Sequence, residues 1–229
     1  KTDIFFNYSD KDQYQELLEN SFKKALEGKS ELPQWILELE GMSGKKFRSF
    51  LNFLFIENTN NLAYLEIGSW RGSTFCSAIS KNSINALAID NLSLFSGSKK
   101  ILLKNIKRAS CDNVNTKYKF LDVDFYQLDF DAIGKFDIYF YDGPHTEKNH
   151  FDAIDKVKNA LNDEFVLIVD DWNWKEVRYG TYAALKKNNI QTLSKIEILT
   201  AKNKNPHILN GQFSDWHNGT IIISCKKTK

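Results

Sequence analysis

A chain of 229 residues that is 42% hydrophobic and 26% charged, with a net charge of +2, has the composition of an ordinary globular domain. Its 31 basic and 29 acidic residues are scattered, so no nucleic-acid footprint is expected and the lysine runs near Lys99 and Lys226 read as solvated surface. The three cysteines, Cys76, Cys111 and Cys225, lack the spacing of a disulfide framework and point to a reducing, cytoplasmic compartment, and no apolar run approaches the roughly 18 residues of a membrane span.

The opening KTDIFFNYSD lacks the shape of a signal peptide, and a start on Lys1 is expected of a trimmed chain. From Asp10 to Leu26 the residues Tyr14, Leu17, Leu18, Phe22 and Leu26 recur at helical spacing. Gly41 and Gly44 interrupt the pattern, after which Ser43 can cap a helix over Lys46 to Ile56. Then the pattern changes. Leu62–Ile67, Ile84–Asp90, Tyr118–Asp124, Phe136–Gly143 and Phe165–Asp171 are apolar runs of strand length, separated by helical stretches near 73–80, 95–109, 147–161 and 175–187. Repeated strand and helix imply parallel strands with crossover helices, and unbroken apolar runs imply strands covered on both faces. TLSKIEILT and GTIIISCKK close the chain as two strands with no helix between them, more easily antiparallel. The loop joining them, about eighteen residues by the loop-length argument, is long enough for a binding element.

Open parallel sheets bind ligands beyond the carboxyl ends of their strands. Here each central run ends in acid: Glu66, then Asp90, then Asp122 and Asp124, then Asp142, then Asp170 and Asp171. Turn chemistry alone would explain one such acid; five in succession suggest a shared polar rim. The first run enters YLEIGSWRGST, where Gly68 permits a tight turn and Gly72 removes a side chain where a helix begins. Ser73 and Thr74 add donors there, which favours an anionic group. The spacing is E-x-G-x-x-x-G with Trp70 inside it, not the G-x-G-x-x-G of a nicotinamide site. Asp90, 22 residues after Gly68, is placed to accept from ribose hydroxyls.

LEIGSWRG followed by ALAID resembles the class I S-adenosylmethionine-dependent methyltransferases, from about Glu40 to the C-terminus. The resemblance implies a Rossmann-like, doubly wound seven-stranded sheet, order 3-2-1-4-5-7-6 counted from Leu62, with the last strand antiparallel. Residues 58–229 would be that core and 1–57 a helical N-terminal extension of one domain. GMSGKKFRSFL, Trp70, Asp142 and the Asp170–Asp171 pair look most like the metal-dependent catechol and macrocin O-methyltransferases. On that likeness the cofactors are S-adenosylmethionine and magnesium, and the acceptor is a small hydroxylated molecule. Neither nucleic acid nor membrane is expected, and a homodimer is left open.

The resemblance distributes the roles. Gly68, Ser69 and Gly72 would meet the methionine end of the donor, with Trp70, Ser73 and Thr74 in the same segment and Glu66 orienting it. Asp90 would hold the ribose and Asp124 the adenine amino group, while Met42 and Ser43 would close over the donor, with core filling as the competing role for Met42. Asp142, Asp170 and Asp171 would ligate magnesium, a hard cation that prefers oxygen, with Asn173 as an alternative ligand and capping of the next helix as the competing role for the acid pair. Asp142 and His145 would be catalytic, His145 standing where the catechol type has a lysine base. Pro144 departs from the macrocin Asp-Gly-Asp and leaves the base open. Trp172, Trp174, Trp216 and His217 are either acceptor-pocket lining or core, and His150 is expected to be structural. A metal-independent methyltransferase and a non-catalytic nucleoside-binding relative are the alternatives.

Overall fold

The computed structural model describes residues 2–9, 12–56, 62–111, 115–201 and 214–228, which form a mixed α/β fold with eight strands. The chain divides into two compact units. One comprises Lys1–Gln15, Asp129–Ile208 and Asn218–Lys229; the other comprises Glu16–Leu128 and Leu209–His217.

In the Glu16–Leu128 unit, α1 (Gln15–Leu26), α2 (Gln34–Leu37) and α3 (Lys45–Ile56) precede β2 (Ala63–Ile67). Then come α4 (Ser73–Ile79), β3 (Asn85–Ile89), α5 (Lys99–Ser110) and β4 (Lys117–Leu121). β2 and β3 pair in parallel with Leu65 opposite Leu87, and β3 and β4 pair in parallel with Leu87 opposite Lys119. This is the expected 3-2-1 arrangement. The core is aromatic: Phe55 meets Tyr64 edge-on at 5.3 Å, and Tyr64 stacks with Phe75 at 6.1 Å. Asn52, fully buried, donates to the carbonyls of Ser77 and Ser80, which ties α3 to the end of α4 and satisfies carbonyls that a helix C-terminus leaves open.

The other unit holds β1 (Asp3–Asn7), β5 (Phe136–Tyr141), α6 (Glu147–Asp155), β6 (Leu161–Asp170), α7 (Lys175–Lys187), β7 (Ile190–Leu199) and β8 (Thr220–Lys227). β5 and β6 are parallel, while β8 lies between β6 and β7 and runs antiparallel to both. The expected 4-5-7-6 arrangement with a reversed last strand is therefore present. β6 is buried without interruption from Phe165 to Asp170, as a strand covered on both faces should be.

Two expectations need correction. The sheet has eight strands, not seven, because β1 pairs antiparallel with β7, Phe5 opposite Glu197. The N-terminal extension is thus not wholly helical. Five residues with no periodic partner pattern give little strand signal by themselves; the exposed edge of β7 supplies the missing ladder. The first helix also starts later than Asp10, at Gln15. Asp12 Oδ1 accepts from the Tyr14 N–H and from Ser224 Oγ, holding the chain in a turn ahead of the helix. Of the expected Ala201–Asn218 binding loop, residues 202–213 lie outside the described residues.

Candidate active site

β2 delivers the chain to a turn built from left-handed backbone. Gly68 has φ +94°, Trp70 +41° and Gly72 +84°. Gly72 cannot be replaced without strain, since its φ is one that L-residues avoid and an added Cβ would lie 2.8 Å from Leu102 Cδ1. Asp90, just beyond β3, crosses to this turn. Its Oδ2 accepts from the Trp70 N–H at 2.7 Å and its Oδ1 from the Leu92 N–H at 2.6 Å. One carboxylate therefore fixes the first glycine turn against the loop after β3. The Trp70 indole donates to the Phe95 carbonyl, and the Arg71 guanidinium lies 4.9 Å over the Trp70 ring while pairing with Glu40.

Glu66 lies inside the protein beneath the turn. It is fully buried and accepts from Tyr64 Oη at 2.6 Å and Thr74 Oγ1 at 2.9 Å. Burial raises its pKa to about 7 against the opposing pull of those hydroxyls. Glu66 thus ties the end of β2 to the first turn of α4. The Thr74 hydroxyl is occupied by Glu66, and the Ser73 hydroxyl lies 3.0 Å from that of Ser43. Ser69 is buried in the turn. Asp124 accepts from the Tyr126 N–H at 2.7 Å and from Asn91 Nδ2 at 3.1 Å, capping a short 3₁₀ turn beyond β4.

Ser43 is held from behind by a residue the sequence reading passed over. Arg48 is fully buried in α3; its Nε donates to Ser43 Oγ at 2.8 Å and its Nη1 to the carbonyls of Ile36 and Leu39 at 2.9 and 2.8 Å. Desolvation lowers its pKa to about 10, still well above neutrality, so the guanidinium stays charged while it organises the 36–43 segment. The available signal was the arginine itself, on the apolar side of an amphipathic helix. Met42, beside it, is partly exposed.

The second group of residues belongs to the other unit, at the carboxyl ends of β5 and β6. Asp142, His145 and Asp171 each bring a ligand atom within 4.8 Å of the others. His145 Nε2 is 2.7 Å from Asp171 Oδ2, and Asn218 Nδ2 donates to Asp171 Oδ1 at 2.9 Å. Asp171 has φ +54°, a left-handed conformation that costs a non-glycine residue about 1 kcal/mol or more. Backbone bonds from Trp174 N–H to the Asp171 carbonyl, and from Trp172 and Asn173 N–H to the carbonyls of Gly219 and Asn218, hold it there. Neither Asp170 nor Asp171 caps α7, whose N-terminus has Trp174 in the cap position and no side-chain cap.

Asp170 is not part of this cluster. It is buried at the last residue of β6, where desolvation and the nearby Asp142 and Asp171 carboxylates raise its pKa well above the usual range. The oxygen-only set expected for magnesium, Asp142 with Asp170 and Asp171, is therefore not the set brought together; an imidazole stands in it. Asn173 is taken by Thr200, donating to its hydroxyl at 2.8 Å and accepting from its N–H at 3.1 Å. Trp172 is fully buried with its indole on Glu197, and Trp216 stacks on Phe22 at 5.1 Å, so both are core. His217 is buried with its N–H on Ser214 Oγ. Trp174 alone of these aromatics lies at the cluster, its ring centroid 5.0 Å from that of His145. His150 is buried in α6, edge-on to Tyr141 at 5.0 Å. Burial pushes its pKa down to about 3, so it is neutral at physiological pH.

No family model matches the chain, and no curated protein matches it. Solved structures do. The O-methyltransferase from Bacillus cereus in complex with SAH is 17% identical, with 96% of this chain and 98% of that one covered and a TM-score of 0.52. A candidate SAM-dependent methyltransferase from Streptococcus mutans is 14% identical over 80% of this chain and 48% of that one, TM-score 0.52. TrmN from Thermus thermophilus is 12% identical over 84% and 52%, TM-score 0.53. The chain spans about half the length of the latter two. The fold is that of the class I S-adenosylmethionine-dependent methyltransferases. The expectation of a small-molecule acceptor with nucleic acid excluded is corrected: methyltransferases of more than one kind share this fold, TrmN from Thermus thermophilus among them, and the fold does not exclude nucleic acid. Among the described residues no helix is long and apolar enough to cross a membrane.

Proposed function

We propose that the chain acts as one S-adenosylmethionine-dependent methyltransferase domain that methylates a hydroxyl group. The observation that carries this reading is the Asp90 carboxylate bonded across to a turn of three left-handed residues, Gly68, Trp70 and Gly72. A turn without side chains at Gly68 and Gly72 fits a ligand that approaches the backbone closely, and an acid at the end of the next strand fits ribose hydroxyls.

Gly68, Ser69 and Gly72 would hold the methionine end of the donor, with Glu66, Thr74, Ser73 and Ser43 keeping the turn in shape from beneath. Asp90 would take the ribose through lone pairs not used by Trp70 and Leu92. Asp124 and Met42 are the remaining donor-side residues of the proposal. The donor when bound supplies an electrophilic methyl on a sulfonium. The protein's part is to hold the acceptor oxygen in line and to see its proton removed. That second task is assigned to Asp142, His145 and Asp171.

Calorimetric titration with S-adenosylmethionine and S-adenosylhomocysteine tests the donor half. Binding that disappears in Asp90→Ala is expected; no binding to the unaltered protein would end the proposal. Formation of S-adenosylhomocysteine across a panel of hydroxyl-bearing acceptors, oligonucleotides included, tests the transfer. Donor binding without product from any acceptor would favour a nucleoside-binding relative that does no chemistry.

A further inference from the structure

We propose that the outer face of α5 and the free edge of β4 form a docking surface for single-stranded nucleic acid, with phosphates on Lys100, Lys104, Lys107, Lys117 and Lys119 and a base on the Tyr118 ring. The surface lies within the Glu16–Leu128 unit, and its binding does not rest on the methyl-donor reading.

The helix α5, KKILLKNIKRAS, carries five basic residues and no acid. Leu102, Ile106 and Ala109 are buried and fix which side of the helix faces the protein. At about 3.6 residues per turn, Lys100, Lys104 and Lys107 fall within about 60° of one another on the opposite side. All three are exposed. Like charges three or four residues apart repel, and α5 holds three such pairs in Lys100–Lys104, Lys104–Lys107 and Lys104–Arg108. Lys99 and Lys100 also stand in the first turn, where the positive end of the helix dipole disfavours a cation. A face that is merely solvated relieves this by interleaving both signs of charge. Here Lys99 alone gains a carboxylate, that of Asp122 at 3.1 Å; among the described residues the three outer lysines gain none. A polyanion laid along the row is what would relieve them.

β4 supplies the second row. It ends the sheet, with β3 as its one neighbour among the described strands, and Lys117, Tyr118 and Lys119 are exposed along it. Lysines on an edge strand also deter edge-to-edge pairing; that role accounts for the two on β4 and not for the three on α5. The Lys99–Asp122 ion pair joins the first residue of α5 to the residue after β4, so the helix lies antiparallel beside the strand and the two basic rows run side by side.

The arrangement favours nucleic acid over a lipid surface. A helix seated on a membrane turns its apolar face to the lipid. The apolar face of α5 is spent on the protein core, and Ile101 and Leu103 flank the lysine row without leading it. An aromatic ring set between two lysines suits a strand whose bases stack while its phosphates pair. From Lys100 to Lys107 the row is about 10 Å long, about three nucleotides of a stacked strand at about 3.4 Å each. The lysine run near Lys99, which the sequence suggested was plain solvated surface, is thereby given a partner.

The experiment is fluorescence anisotropy of an end-labelled oligouridylate, about twelve nucleotides long, titrated with the full chain at several salt concentrations and without methyl donor. Saturable binding is expected, with log K falling against log salt at a slope of about −3, as about five neutralised phosphates require. The triple variant Lys100→Gln, Lys104→Gln, Lys107→Gln should bind at least about tenfold more weakly at about 0.1 M salt, with the slope shallower by about 2. Tyr118→Ala should weaken binding about tenfold and leave the slope unchanged. Removing the same charge from other exposed positions, in Lys23→Gln, Lys156→Gln, Lys186→Gln, should keep affinity within about twofold. Circular dichroism establishes that each variant folds. No saturable binding, an equal loss in both triple variants, or unchanged affinity in Tyr118→Ala would each overturn the proposal. So would phosphatidylserine vesicles that bind more tightly than the oligonucleotide through the same lysines. S-adenosylhomocysteine calorimetry reads the donor site separately, so either proposal can fail without the other.

Discussion

Asp171 Oδ2 lies 2.7 Å from His145 Nε2, and Asp171 holds that position with a left-handed backbone at φ +54°. The strained residue is the one that joins the end of β6 to the imidazole. Asp171→Asn keeps the shape and removes the charge. Methyl transfer should fall by roughly a hundredfold or more in kcat, with the KM for the donor within about twofold, since no donor residue is touched. Product formation under saturating donor measures it. Asp171→Gly, which relaxes the backbone, should inactivate to the same degree without lowering the melting temperature as a buried-acid deletion would.

Asp90 holds the turn, and the proposed function gives it the methyl donor as a second task; the two can be separated. Asp90→Ala should abolish donor binding and also release the Trp70 and Leu92 N–H groups. The loss of two charge-assisted hydrogen bonds at a part-buried site is expected to cost about 2 kcal/mol, a fall of several degrees in melting temperature. Asp90→Asn should lose less stability, because the amide oxygen can still accept one of the two, yet should bind S-adenosylhomocysteine at least about tenfold more weakly. Differential scanning calorimetry with and without S-adenosylhomocysteine separates the two effects.

Glu66 makes stability depend on pH with a definite sign. Its folded pKa, about 7, lies above the ordinary 4.5. Between those values the folded carboxyl keeps a proton that the unfolded one has lost, so the folded state is favoured at low pH and the contribution is lost as pH rises through 7. The full swing is about 3 kcal/mol. Glu66→Gln, isosteric with the protonated form, should flatten stability between pH 5 and pH 8, by roughly that amount at the alkaline end. Urea denaturation at several pH values checks this; an unaltered pH slope in the variant would refute it.

Arg48 is expected to be the least replaceable charge of the Glu16–Leu128 unit. Arg48→Met fills similar volume but leaves the Ile36 and Leu39 carbonyls and Ser43 Oγ without their donor. The expected loss is about 3 kcal/mol, from three bonds to a charged donor removed at buried acceptors, although the Ile36 carbonyl keeps the Leu39 N–H and Ser43 Oγ keeps Ser73 Oγ. Arg48→Lys should not rescue it, since one ammonium cannot span the fork of partners. Chemical denaturation measures both.

The parallel strands, the glycine turn and the acids beyond the strand ends were legible in the sequence for local reasons. An unbroken apolar run is a buried strand, a glycine at a turn marks backbone that other residues avoid, and an acid after each run marks its polar end. The fates of the individual side chains were not local. Trp172, Trp174 and Trp216 look alike in the sequence, yet two are core and one lies beside His145, because only packing decides which side of a strand end faces inward. Asp170 and Asp171 are consecutive and chemically identical. A single left-handed residue turns Asp171 to His145 and leaves Asp170 buried at the end of β6. The partners of Arg48 and of β1 were not legible for the same reason: the carbonyls that require the first and the strand that pairs with the second lie elsewhere in the chain. The sequence by itself determined the helices and strands from Gln15 onward and the chemistry at their ends, since period and turn propensity act over a few residues. Which of those groups meet was decided by tertiary structure alone, because hydrogen bonds and burial join residues that the chain order keeps apart.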